Sequence, residues 1–341
     1  MKKNNICNSS DTMVDEMIEG YISSTGGAFS RVSGTKSIVY NPAKNEERVK
    51  IIVGGGAGCE PIYLGCAGAG MADAVVNGNV FAAPSAIAVL KTVQHMNCSA
   101  GVVFISGNYT GDVLNYELAA ELCGAEGVNA KAFFVRDDIL HKDKKNREAR
   151  RGITGIIWTI RIASAMAKDG KSVDEILAAM NVVNENLATV SVTFWPGYRP
   201  DTGRPLYEMD EDIIEFGMGV NGEPGIKQMK MPSSEVLAKE IMDYINKDLE
   251  LGQKDQISLM INGKGATSYA ELYVFTNNVK EYIKRKGIHI YHIEVGNYFT
   301  APGMGGVSVT VLKVNDLLKD CLGRGTYTGM YSSKIGAWEE K

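Results

Sequence analysis

Apolar positions along the chain follow two rhythms. Short apolar runs, Val49–Val53, Gly101–Ser106 and Lys131–Val135, each stop at a glycine or charged cluster, as buried strands do. Between them, apolar residues recur at helical spacing. Pro84-Ser85 opens a helix to about His95, and Val113–Cys123 forms the next. Strand–loop–helix units repeated in this way predict parallel strands with crossover helices. Upstream, residues 11–22 read as an amphipathic helix with Asp11 as cap and Met13, Met17, Ile18 and Tyr21 on one face. Ser23–Lys36 reads as a Gly/Ser-rich loop and Gly70–Val76 as a short helix.

Beyond these lies a charge-dense stretch, Asp137–Arg151, expected to be a solvated loop with Arg150-Arg151 at its end. Gly152–Ala167 is apolar nearly all round and predicts a buried helix about Trp158. Ser172 with Glu175 forms a capping box for a helix to about Leu187. Thr193–Tyr207 is rich in proline and glycine, and places a boundary between domains at 1–193 and 194–341. In the second half, Ile213–Val220 leads into the turn Asn221-Gly222-Glu223-Pro224-Gly225. Glu235–Leu249 is a helix, Ile257–Ile261 a strand, and Ser268 with Glu271 caps a further helix. Ile288–Val295 and Val307–Val314 alternate apolar and polar residues, the pattern of strands with one exposed face. The fold class is α/β with two domains, mainly parallel in the first and mixed in the second.

Length and composition agree with this reading. A chain of 341 residues exceeds one ordinary core. Formal charge is −4 with no basic block, which argues against nucleic acid or an anionic membrane surface as partner. No apolar run approaches the roughly 20 residues that span a bilayer, and the first twenty residues are too polar for a secretion signal. The 6 cysteines are scattered without C-x-x-C pairs, which fits a reducing cytoplasm and suggests no zinc site. His289 and His292 lie three apart in a strand, face opposite ways and cannot share a metal.

The chemistry centres on Val49–Pro61. An apolar run enters Gly54, Gly55, Gly56, Ala57 and Gly58, then Cys59, Glu60 and Pro61. Glycines at a strand end admit positive φ and close approach by another molecule, or serve only a tight turn. No Gly-Lys-Ser/Thr follows, so the loop is not a P-loop, and the dinucleotide fingerprint is not met. After the second strand come Gly107 and Asp112. The aspartate opens a helix as N-cap, as ligand contact, or as both. Cys59 is more often a small buried thiol than a nucleophile. Asn221-Gly222 is a common turn dipeptide.

Six segments, GGGAGCEP, GNVFAAPS, NYTGDVLNYELAAE, ARRGITG, EFGMGVNGEPG and the later ING-GATS-ELYVF, occur in one order across almost the whole chain. Together they resemble the ketose-binding subunit of dihydroxyacetone kinase. The resemblance implies two α/β domains, a homodimer, and no cofactor in this chain. ATP or another phosphoryl donor, with Mg, is expected only on a separate helical, DhaL-like subunit. It also implies a substrate site made by Gly55, Gly56, Ala57, Gly58, Gly107, Asp112 and Asn221, with Asp112 and Cys59 at the catalytic positions.

Three of those positions depart from the family pattern. Cys59 replaces an acid/base histidine, Gly107 a substrate-holding lysine, and Asn221 the histidine whose ring nitrogen adds to the ketone. An amide nitrogen gives its lone pair to the carbonyl, so Asn221 is a hydrogen-bonding group and not a nucleophile. The resemblance therefore implies a kinase subunit for a small ketose or polyol bound without a covalent anchor. Its alternative is an inactive paralogue that reports a metabolite to a transcription regulator.

Overall fold

The computed structural model describes residues 4–333. The chain divides into two compact units. The first comprises Ile6–Val135 and Ile156–Val182 with the stretch from Asp320 onward; the second, Arg136–Gly155 and Val183–Lys319. The chain passes between the units repeatedly, so they do not follow a single cut at residue 193. Thr193–Tyr207 lies wholly within the second unit, because Thr193 belongs to a strand of its sheet.

In the first unit the strands are β1 (Phe29–Arg31), β2 (Ser37–Tyr40), β3 (Lys50–Ala57), β4 (Gly68–Ala69), β5 (Ala74–Val80), β6 (Val102–Gly107) and β7 (Ala130–Val135). Six of them form a sheet in the order β1-β2-β5-β3-β6-β7. The β5, β3, β6 and β7 pairings are parallel, and β1 and β2 are antiparallel additions at one edge. Its helices are α1 (Met13–Ser24), α2 (Ala86–Gln94), α3 (Thr110–Ala125) and α4 (Ile156–Lys168). Ile52, Val76 and Phe104 join Val89, Val93 and Ala119 of α2 and α3 in one core. By strand alternation Ile51, Val53, Val103 and Ile105 are buried on the other face, where α4 meets β3 and β6. Burial on both faces explains why these strands read as continuous apolar runs.

Local expectations fare unevenly. Ser85 caps α2 by accepting from the Ala88 amide. Asp11 does not cap α1: the N-cap is Thr12, and the Asp11 and Thr12 amides donate to Ser9 Oγ instead. Gly70–Val76 is not a helix. Its β-branched Val75 and Val76 enter β5, where pairing with β2 and β3 overrides local propensity. Ser23–Lys36 contains the short strand β1.

The second unit opens with the tail of α5 (Val173–Asn186), whose start is closed by the Ser172–Glu175 capping box. Its strands are β8 (Leu187–Trp195), β9 (Ile213–Phe216), β10 (Lys227–Lys230), β11 (Gln256–Gly263), β12 (His289–Gly296) and β13 (Gly305–Lys313). They form a mixed sheet in the order β10-β9-β8-β13-β11-β12, parallel only between β11 and β12. Helices α6 (Ser234–Leu249) and α7 (Tyr269–Arg285) cover one face with an aliphatic core. Ser268 and Glu271 form the expected capping box of α7.

Two expectations fail here. β13 alternates apolar and polar residues, yet both faces are buried. Its polar face is satisfied by partners: Ser308 bonds Thr154 and the Asn262 amide, and Thr310 bonds Thr189. The charge-dense stretch is exposed only in its middle. Asp137, Asp138, Arg150 and Arg151 at its ends are buried, each against a partner. Arg150 donates to both carboxylate oxygens of Asp248, at 3.1 and 2.5 Å, and to the Lys142 carbonyl at 2.8 Å. A charged residue in sequence carries no mark of whether a matching carboxylate awaits it.

The last strands, β14 (Thr326–Thr328) and β15 (Ser332–Ser333), complete a small sheet with β4 in the first unit. The α4 residue Arg161 is buried and ties that region down, donating to the Leu322 carbonyl and to Tyr331 Oη and Ser333 Oγ. Among the described residues no helix is long and apolar enough to cross a membrane.

Candidate ligand site at the strand ends of the parallel sheet

β3 runs on through its glycines to Ala57 instead of ending at Val53. The glycines serve close packing more than turning. A Cβ on Gly54 would lie 2.1 Å from the Val76 carbonyl oxygen and 2.4 Å from Tyr116 Oη. One on Gly55 would lie 2.3 Å from the Tyr63 ring, and one on Gly56 2.7 Å from the Ala82 amide. Only Gly58 of the group holds a left-handed φ, +101°. Its amide donates to the Glu60 carboxylate at 3.0 and 3.2 Å, and burial raises the affinity of that carboxylate for its proton.

Tyr63 is the residue that sequence reasoning missed. Its ring covers Gly55, and its hydroxyl accepts a hydrogen bond from the Gly107 amide at 3.0 Å. Ser106 Oγ lies 3.4 Å from the same hydroxyl and is 2.7 Å from the Gly54 carbonyl, to which it donates. The Gly107 amide, expected to face a ligand, is thus engaged by a side chain of the protein. The only sequence signal was an aromatic residue shortly after a glycine run, where a flat ring can lie on backbone that lacks Cβ atoms.

Asp112 lies in the first turn of α3, three residues past the N-cap, Tyr109. Capping therefore does not explain it. The side chain is 7% exposed, and Oδ1 is buried with no hydrogen-bond partner among the described residues. Loss of water pushes its pKa up to about 7, despite the helix terminus, which favours the anion. Tyr63 and Tyr116 share its electrostatic environment, and burial raises both phenols well above their ordinary range. Cys59 is buried beside the same group, and its charge would further oppose ionisation of Tyr63. A carboxyl poised near neutrality can accept a proton from a hydroxyl or donate one, the requirement for general acid–base work.

Gly55, Gly56, Ala57, Gly58, Cys59, Gly107 and Asp112 all belong to the first unit. Asn221 belongs to the second. It is exposed, and its amide N–H and Nδ2 both point at the Glu223 carboxylate, at 3.2 and 3.4 Å. The approach to it is held by two buried cations. Arg151 Nη2 donates to the Gly217 carbonyl at 2.7 Å, and Lys264 Nζ donates to the Met218 carbonyl at 3.2 Å. Lys264 also donates to Ser191 Oγ at 2.7 Å and Thr193 Oγ1 at 2.8 Å, and burial lowers its pKa to about 7. Neither cation was singled out as a loop-holding residue in the sequence.

Comparison with known proteins places this architecture. Residues 19–329 match the Dak1 domain, and the chain belongs to that family, whose members include the ketose-binding subunits of dihydroxyacetone kinases. It is 37% identical over 316 residues to the dihydroxyacetone-binding subunit DhaK of PTS-dependent dihydroxyacetone kinase 1 from Listeria innocua, covering 93% of this chain and 95% of that one. Among solved structures it is similar to the dihydroxyacetone kinase operon co-activator DhaQ, with a TM-score of 0.85 at 31% identity, covering 92% and 96% of the two chains. It is also similar to the dihydroxyacetone kinase of C. freundii, with a TM-score of 0.87 at 28% identity. There it is covered entirely but spans 62% of that chain.

Proposed function

We propose that this chain is the substrate-binding subunit of a dihydroxyacetone kinase-type phosphotransferase, acting on a small ketose or polyol held without a covalent bond. The observation that carries the reading is Asp112: a buried, unpartnered carboxyl near neutrality at the carboxyl end of a parallel strand, where α/β sheets hold ligands. Asp112 orients the attacking hydroxyl and takes its proton as the phosphoryl group arrives. The glycine-rich end of β3, in the same unit as Asp112, supplies backbone contacts. The phosphoryl donor, ATP with Mg or a phosphorylated carrier, resides on a separate helical subunit of the DhaL type. The working protein is a cytoplasmic homodimer. Similarity over nearly the full length of a DhaK subunit supports this reading.

The test is reconstitution with a helical nucleotide-binding subunit and its phosphoryl donor, followed by phosphorus NMR on dihydroxyacetone, erythrulose and glycerol. Formation of a phosphate ester that depends on Asp112 supports the proposal. No ester with any donor subunit, together with tight capture of a transcription regulator, favours a second reading, that of a metabolite-reporting coactivator. That reading draws on the similarity to a DhaKLM operon coactivator, 31% identical over 91% of this chain, and on Cys59 and Asn221 in place of histidines.

A further inference from the structure

A cavity of about 730 Å³ opens in the first unit between α1, the turn joining β1 to β2, the end of β5 and the start of α2. Neither the glycines of β3 nor Gly107 nor Asp112 lines it. It backs onto them across the loop of residues 78–85. A Cβ on Gly56 would lie 2.7 Å from the Ala82 amide, and one on Gly111 3.3 Å from the Ala83 methyl. Asn77 interrupts the apolar run of β5 at the cavity wall and is 3% exposed. Its Nδ2 donates to the Lys36 carbonyl at 3.1 Å, which fixes the orientation of the amide and leaves Oδ1 without a partner among the described residues. A buried acceptor left open in this way calls for a donor from outside the chain.

Most of the other open groups are donors. Ala88 is the first amide of α2 to turn back on the chain, bonding Ser85, so the Ala86 and Ile87 amides before it are unspent. Ser85 and Ala88, on either side of them, line the cavity. The charged lining residues are Asp15, Arg31 and Lys36. Arg31 is engaged by Asp15, Glu19 and the Thr35 carbonyl. Lys36 Nζ pairs with Asp15 at 3.3 Å and keeps two N–H groups to give. These two cations and two carboxylates cancel. Lys91 tips the balance positive, since a Cβ on the lining residue Gly34 would lie 3.7 Å from its Nζ. The N-terminus of α2 adds to the attraction for an anion. No described lining residue is aromatic, so a nucleobase would find no ring to stack on.

We propose that this cavity binds a small phosphate monoester that carries a hydroxyl group. The phosphate lies against Lys36 and the start of α2, and the hydroxyl donates to Asn77 Oδ1. Three terminal phosphate oxygens accept from more of these donors than the two oxygens of a carboxylate can. The site stands apart from Asp112 and does not depend on that carboxyl serving as a base.

The experiment is titration calorimetry of the whole protein with glycerol 3-phosphate, propyl phosphate and glycerate at pH 8, where the monoester carries close to two negative charges. Glycerol 3-phosphate binds tightest. Propyl phosphate, without the hydroxyl for Asn77, binds about threefold to tenfold more weakly, and glycerate about tenfold or more. Lys36→Met weakens glycerol 3-phosphate by about tenfold to a hundredfold, Lys36→Arg keeps it, and Asp112→Asn leaves it unchanged. Propyl phosphate or glycerate binding as tightly as glycerol 3-phosphate overturns the proposal, as does no binding by any of the three. Binding that Asp112→Asn abolishes and Lys36→Met spares overturns it too, and places the ester at the strand ends instead. The order of the three ligands is read on the unaltered protein, so it does not depend on how a variant folds.

Discussion

Lys264 Nζ and the Met218 carbonyl oxygen lie 3.2 Å apart, a buried cation holding the strand end that leads to Asn221. Lys264→Met removes that hold and leaves Ser191, Thr193 and the Met218 carbonyl without their donor. The loss should cost about 2 kcal/mol, the scale for unsatisfied buried groups. Amide exchange should quicken over residues 217–225 and stay unchanged in β3 and β6. Exchange mass spectrometry that finds residues 217–225 as protected as before would refute a holding role.

Asp112 makes stability depend on pH in a defined direction. Its carboxyl titrates near 3.8 when unfolded and at about 7 when folded, so the folded state holds its proton more tightly. The contribution is intact below 3.8 and is lost as pH rises through about 7. Asp112→Asn removes that loss. The variant should gain on the wild type by up to about 4 kcal/mol at pH 8 and by almost nothing at pH 3.5. Denaturant titrations at the two pH values check this, and an equal difference at both would place the carboxyl in water.

Arg150 and Asp248 form a buried pair in which either partner alone is a liability. Asp248→Ala strands the guanidinium and should cost about 3–5 kcal/mol, whereas replacing both residues with apolar ones of similar size should cost far less. A double-mutant cycle by urea unfolding measures the coupling. Additive single and double effects would count against the pairing.

Two glycines test the packing argument. Gly20 sits in α1 with nothing within 4 Å of its would-be Cβ. Gly20→Ala should therefore stabilise by about 0.5–1 kcal/mol. Gly54→Ala drives a methyl onto the Val76 carbonyl and Tyr116, and should prevent β3 and β5 from pairing as they do. Thermal unfolding ranks the two variants, and a benign Gly54→Ala would contradict the close approach.

The parallel core was legible because its strands are buried on both faces and so carry apolar runs that no surface alternation interrupts. The capping boxes at Ser172 and Ser268 were legible because their donors and acceptors sit within four residues. What escaped notice depends on distant partners. Tyr63 looks like any aromatic residue until Gly55 and Gly107 are brought beneath and beside it. Arg150 and Arg151 look solvated until Asp248 and Asp138 are folded against them. Asp112 was identified as a candidate, but its place inside the first turn, and not at the cap, emerged only with the boundary of α3.

The order in which the chain supplies the first unit carries a consequence for synthesis. All six strands of its main sheet have left the ribosome by Val135, but the face of β3 and β6 still lacks α4. The partners of β4 come last, with Thr326–Thr328 and Ser332–Ser333, and with them the groups that Arg161 binds. A nascent chain stalled near residue 193 would therefore hold an assembled sheet with one seam open, a substrate for chaperones.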